Sequence, residues 1–352
     1  MHPPSEPDTG VRSSPGRHRR RSMTFALRSV ILASGLVFFG LAIRRAGLEL
    51  SRSEIPLDWD SIRWSYLVLS VLSGMAALVP PCVAWQAILR DFGQSIHWAD
   101  SLYAYFLGHL GKYVPGKAMA VVMRVGELHR HKVLVRPGIV SVFIETLTSI
   151  ATGAVLGAIL VQWMDCPRWL RLSALAGIPF AVAMLVPQAF RWIVGRIAKS
   201  RIGQMPAEVV SAIDGRLMSR TVALSMLGWL FQGTSLWLVL QSLVKIQPEF
   251  AASFSSLSVW LVCVASMSLG ALAGFLSMLP GGALARELAS IGVLLSIVPQ
   301  PIAVIATVLV RLTSIVAELT MIAGSKWIQI LYGKAPEVRA GPGASDQDLD
   351  LD

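Results

Sequence analysis

Between Trp64 and Ile88 the sequence reads WSYLVLSVLSGMAALVPPCVAWQAI, without one charged residue. About 20 apolar residues suffice for a helix to cross the hydrocarbon core of a bilayer. Inside that core every backbone N–H and C=O must be satisfied within the segment, which a helix achieves. Comparable runs lie near 25–43, 138–163, 170–187, 221–243 and 301–324. Of all 352 residues 54% are hydrophobic and 15% charged, where soluble domains carry about 25% charged residues. The expected fold is therefore all-α: a polytopic membrane helical bundle with about six full spans. Trp64, Trp85, Trp163, Trp169 and Trp327 stand at the ends of these runs, where interfacial aromatics gather.

The ends of the chain differ from its middle. Residues 1–22 are rich in Pro, Ser and Arg, and residues 336–352 (PEVRAGPGASDQDLDLD) are acidic. Both are expected to be disordered tails, flanking a membrane domain over 23–335. The run Phe25 to Ile43 is long for a signal peptide, and Arg44 and Arg45 follow it where a small-residue cleavage site would sit. It reads as a retained anchor. The formal net charge is +10, and the basic run RHRRRS (Arg17 to Ser22) lies just before this anchor. Beside a span such a run is a topology signal or a contact for anionic headgroups, and no nucleic-acid partner is expected. Segments 90–136 and 189–220 are also basic. Placing all three in the cytoplasm follows the positive-inside rule, with loop 44–63 as an exception. The membrane is expected to be the plasma (inner) membrane. Cys82, Cys166 and Cys263 have neither metal-ligand nor disulfide spacing and read as small core residues.

Two segments do not read as plain spans. In 98–133 an apolar run meets Pro115-Gly116; in 257–298 another meets Pro280-Gly281-Gly282. Each break is followed by a short second helix, the pattern of a broken or re-entrant hairpin. The two segments also resemble each other. A shift of 165 residues lays Pro115-Gly116 on Pro280-Gly281 and LTSI (Leu147 to Ile150) on LTSI (Leu312 to Ile315), without a gap. The copies run near 98–163 and 257–324. Three expected spans separate the two breaks, and an odd number inverts the second copy. Inverted repeats with broken helices meeting near the midplane are a transporter architecture. The same parity returns both termini to the cytoplasm. Segment 257–279 is also long enough to cross fully.

A helix that starts inside the membrane presents unpaired N–H groups, which attract anions and phosphate above all. Gly281 and Gly282 allow the tight turn into the second of these helices, and Arg286 lies in its first two turns. The first copy supplies Lys117 and, seven residues on, Arg124; Glu127 is spaced to pair with Arg124. Glu145, Glu287, Arg311 and Glu318 are further ionisable groups in apolar surroundings. Intramembrane charges line a cavity or brace helices as buried ion pairs, and both roles stay open for Arg311 and Glu318. HRHK (His129 to Lys132) lacks an acidic or Cys partner at ligand spacing and marks the headgroup zone rather than a metal site.

YVPGKAMAVVMR, then IETLTS, then LPGGALARE and VLVRLTS, in this order and spacing, resemble the transmembrane region of lysylphosphatidylglycerol synthases. That region also occurs alone, as flippase-like integral membrane proteins. The resemblance covers roughly residues 25–330. It implies a lipid translocase, without the soluble aminoacyltransferase domain of the full synthases and without enzymatic activity. Two departures stand out. The family tends to have Glu-Arg where this chain has Glu145-Thr146, and a further Gly after Pro-Gly-Gly where this chain has Ala283 and Leu284. No nucleophile elbow, P-loop or zinc signature occurs, so no cofactor and no metal are expected. The expected function is binding and flipping of an anionic lipid or lipid-linked phosphate. Lys117, Arg124, Gly281, Gly282 and Arg286 would hold the headgroup, and Glu145, Glu287, Arg311 and Glu318 would line or brace the cavity. Pro115, Gly116 and Pro280 would make the breaks. Membrane lipids are the expected partners. The alternatives are a non-transporting subunit that scaffolds an envelope glycosyltransferase or other lipid-modifying enzyme, and a membrane transferase, which needs cavity-facing carboxylates.

Overall fold

The computed structural model describes residues 59–113, 118–200, 207–245, 256–277, 282 and 284–333. The expected span 25–43, both tails, Pro115, Gly116, Lys117, Pro280 and Gly281 lie outside the described residues. Eleven α-helices are described: α1 (Trp64–Asp91), α2 (Trp98–Leu110), α3 (Ala118–Arg130), α4 (Val135–Leu160), α5 (Arg168–Ala183), α6 (Pro187–Ser200), α7 (Ala207–Ser211), α8 (Gly215–Ser242), α9 (Leu257–Leu276), α10 (Ala285–Leu294) and α11 (Gln300–Tyr332). Five of the helical stretches are long and apolar enough to cross a membrane: α1, α4, α8, α9 and α11. The protein is thus an all-α, polytopic membrane bundle.

The span expected at 170–187 differs. Its helix, α5, stops at Ala183, and the chain bends by 69° into α6. Pro187 opens α6, where its missing N–H costs nothing. Counting this bent pair as one crossing gives a sixth span.

α1 and α8 pack most extensively, and they run antiparallel. The N–H of Arg63, just before α1, donates to the carbonyl of Ser242 at the end of α8 (3.0 Å). At the other end Arg220 pairs with Asp91 (2.5 Å). Between these ends Ser70 Oγ donates to the carbonyl of Ser235 (2.9 Å), and Ser235 Oγ returns a bond to the carbonyl of Ser70 (3.0 Å). Small hydroxyl residues fill this role between membrane helices because they allow close approach and satisfy themselves across the gap. Gly228 makes the same contact without a side chain, against Ala77 and Pro81, while Gly74 lies against Ala317 of α11 as well as Ser235.

The helices on either side of each Pro-Gly pair in the sequence fold back on one another. α3 folds back along α2, with Gly108 against Arg124 and Gly111 against Ala120. α10 folds back along α9: Ser266 and Ser290 exchange side chain-to-carbonyl bonds (3.1 and 3.2 Å). Gly270 and Gly274 make room for Ser290 and Arg286. α9 ends at Leu276 and α10 begins at Ala285. The two hairpins dock on opposite spans, α2 against α11 and α9 against α4.

Trp64, Trp163, Trp169 and Trp327 are exposed, as span-end aromatics should be. Trp85 is not. It is fully buried, and its indole N–H donates to Ser141 Oγ on α4 (3.0 Å). Cys82, Cys166 and Cys263 are buried and unbridged.

Candidate functional site

Gly108 on α2 decides where Arg124 goes. A Cβ there would lie 2.4 Å from Arg124 Cγ and 2.7 Å from its Nε. With no side chain in the way, the arginine passes over α2 into the bundle and is buried. Its Nη1 donates to Glu145 Oε2 on α4 (2.7 Å), and its guanidinium carbon lies 4.1 Å from the Tyr105 ring centroid. Tyr105 donates its hydroxyl to the other carboxylate oxygen (3.2 Å), and Thr146 adds a longer contact (3.3 Å). A charge-assisted pair over an aromatic face is a strong arrangement where water is excluded. The i,i+3 spacing had suggested Glu127 as the partner of Arg124. Glu127 instead pairs with Arg130 (3.1 Å) and accepts from Gln329 on α11 (3.4 Å).

A second ion pair faces the first. Lys112, in the turn after α2, bonds Glu318 of α11. Arg311, which shares a helical face with Glu318, faces Glu287 of α10 at 4.0 Å. Arg286, one residue before Glu287, turns the other way, toward the space between the two ion pairs.

These side chains enclose a cavity of about 300 Å³ walled by α1, α2, α3, α4, α8, α9, α10 and α11. Its charged lining is Lys112, Arg124 and Arg286 against Glu145 and Glu318. Among the described residues cations therefore exceed carboxylates by one. Ser149 and Ser314, the serines of the two LTSI motifs, stand in the same lining. Among the described residues four buried polar atoms on lining side chains have no hydrogen-bond partner: His109 Nε2, Arg124 Nε, Ser225 Oγ and Gln232 Oε1. An unsatisfied buried polar group costs about 1–3 kcal/mol. Four on the residues of one wall make that wall unusually polar for the interior of a membrane bundle.

Of the residues singled out from sequence, the structure brings Arg124, Glu145, Arg286 and Glu318 to one cavity. Glu287 and Arg311 form an adjoining pair outside its lining. Gly282 adopts φ +68° and packs on Gly274, where a Cβ would come within 2.7 Å of Gly274 Cα. Lys112, His109, Tyr105, Trp229 and Gln232 were missed. Lys112 and His109 carried a usable signal, since both are ionisable groups in an apolar segment beside a break. Lys117, five residues from Lys112, drew the attention instead. Trp229 and Gln232 sit mid-span on α8 and had no signal of that kind.

The family described as Lysylphosphatidylglycerol synthase TM region has a model that matches residues 20–321. No curated protein was found to match the chain. Since the family match spans most of the sequence and includes every charged side chain of the cavity, this chain belongs to the lysylphosphatidylglycerol synthase transmembrane-region family.

Proposed function

We propose that the protein translocates an anionic lipid or lipid-linked phosphate across the plasma (inner) membrane, its headgroup passing through the cavity between the two hairpins. The observation that carries this reading is the lining: Lys112 and Arg124 come from one hairpin and Arg286 from the other, around one space of about 300 Å³. That volume is at the lower end for small-molecule sites and matches a headgroup rather than a whole lipid. Arg286 lies in the first turn of α10, where helix N–H groups lack intrahelical partners. Phosphate suits such a place. Lys117, Pro115, Gly116, Pro280 and Gly281 would complete the two helix starts.

An inverted repeat supports transport over scaffolding. Shifted by 165 residues, α4 begins where α11 begins, and α3 falls within two residues of α10. Contacts pair off in the same way: α2 on α11 and α9 on α4, α1 on α11 and α8 on α4. With basic segments inside, residues 25–43 and the α5–α6 pair each counted as one crossing, and α9–α10 taken as a re-entrant hairpin, both termini are cytoplasmic and the hairpins enter from opposite sides. A membrane transferase is less well served, because Glu145 and Glu318 are each held by a cation rather than placed as a carboxylate pair.

The test is transport in liposomes containing a fluorescent anionic phospholipid, with an impermeant quencher reading the outer leaflet. Arg286→Gln should abolish protein-dependent flipping while the protein stays folded. Arg286→Lys should impair it, since a point charge does not reproduce a planar fork. Wild-type rates in both variants overturn this reading and leave scaffolding of an envelope enzyme.

A further inference from the structure

Both carboxylates of the cavity are held by cations of the same hairpin. Glu145 on α4 accepts from Arg124 of α3 at 2.7 Å. Glu318 on α11 is paired with Lys112 in the turn after α2. The two acids are only 4% and 8% exposed. The α2–α3 hairpin is thus clasped between acids on two different spans. Its two cations are the ones an anionic headgroup would seek.

An anion that engages Lys112 and Arg124 competes with Glu318 and Glu145 for their charge, and wherever it draws a cation off it leaves a carboxylate behind. A carboxylate left buried without its cation is held at a large energetic disadvantage, and the ready remedy is to take up a proton. The compensation left to the two acids is unequal, and Glu145 has the less of it. Glu145 faces Tyr105 from α2 and Cys82 from α1, neither of them a cation. Glu318 faces His109 from α2 and Arg311 from its own helix, and Arg311 also faces Glu287 at 4.0 Å. Arg286 of α10 lines the same cavity and acts electrostatically on Lys112. His109, whose Nε2 is buried without a hydrogen-bond partner, stands beside Glu318 at the cavity wall.

We infer that anion binding in this cavity is coupled to proton uptake by Glu145 and Glu318, so that headgroup and protons cross together and a proton gradient can drive the lipid. This rests on the headgroup reading above and adds what powers it. Protonation exchanges one electrostatic partner for another: the phosphate takes the cation, and the carboxylate takes a proton from water at the open side. Binding then tightens as pH falls. For each proton taken up, affinity changes about tenfold per pH unit, by linkage.

The experiment is calorimetric titration of the full-length protein, in a non-ionic detergent, with dioctanoyl phosphatidylglycerol. This phosphodiester keeps its single charge through neutral pH, so it contributes no protons of its own. Running the titration in buffers of different ionisation enthalpy counts the protons taken up. At least one proton per bound lipid is expected, with Glu145→Gln and Glu318→Gln each lowering the count. Heats independent of the buffer, with binding intact, overturn proton coupling and leave the headgroup reading standing. No binding at any pH removes the headgroup reading, and the coupling with it. The wild-type titration decides between these outcomes even if a variant does not fold.

Discussion

Gly111 and Gly126 lie at the two ends of one hairpin and should respond to alanine in opposite directions. A Cβ on Gly111 would sit 2.4 Å from the backbone N of Ala120 and 2.5 Å from its Cα. Backbone cannot yield as a flexible side chain can, so α2 and α3 would have to part. Gly111→Ala should cost about 1–3 kcal/mol, as overpacking does. Gly126 on α3 has nothing within 4 Å of its Cβ position. Gly126→Ala should therefore stabilise by up to about 1 kcal/mol through helix propensity. Thermal unfolding of the detergent-solubilised variants reads both. Leu284 gives a third case. It caps α10 at φ +68°, ψ −54°, a tight-turn conformation that side chains disfavour. Its side chain is 44% exposed, so little packing is lost with it. Leu284→Gly should raise stability by about 1 kcal/mol, read by the same melts. The strain could be anticipated from sequence, because the resembling family prefers another glycine after Pro-Gly-Gly. That Leu284 carries strain could not.

At the scale of elements, the α1–α8 contact should behave as a coupled unit. Ser70 and Ser235 each donate to the other's carbonyl, so removing either hydroxyl orphans part of the same exchange. A double-mutant cycle of Ser70→Ala and Ser235→Ala should give a coupling energy of about 0.6 kcal/mol, the usual size for hydrogen bonds between membrane helices. Strict additivity in denaturant unfolding would mean the two serines act independently. Elements were legible in sequence wherever local chemistry marks them. Pro-Gly marked the connections within both hairpins, and long apolar runs located α1, α4, α8 and α11. The bend after Ala183 was not legible, because residues 170–187 continue apolar straight through it. The partner of Arg124 was missed for a related reason. Spacing tells which residues share a face, and so it offered Glu127. It cannot tell which helix that face meets, and Glu145, 21 residues away, is the residue that closes the pair.

For the molecule as a whole, the sidedness of its loops is open to direct measurement. Arg130, at the end of α3, is 61% exposed at its side chain, and Trp163, after α4, is 87% exposed. The proposed topology puts Arg130 in the cytoplasm and Trp163 outside. With Cys82, Cys166 and Cys263 replaced, Arg130→Cys and Trp163→Cys should react with an impermeant maleimide from opposite faces of the membrane. Labelling of both from one face would refute the crossing by α4 on which the proposed topology rests. The gathering of Arg124, Glu145, Arg286 and Glu318 is a property of the whole molecule too. Sequence marked each as an intramembrane charge, but only the docking of two hairpins on opposite spans makes them neighbours. One contact described above reaches further back. Ser70 and Ser235 are separated by 165 residues, the same interval that relates the two LTSI motifs. If that interval records a gene duplication, then in an ancestor of half the length these two serines were a single residue touching its own copy. Such a half-length chain must have inserted into the membrane in both orientations and joined head to tail as a homodimer. Fusion of the genes then freed the two serines to mutate separately, yet they remain identical.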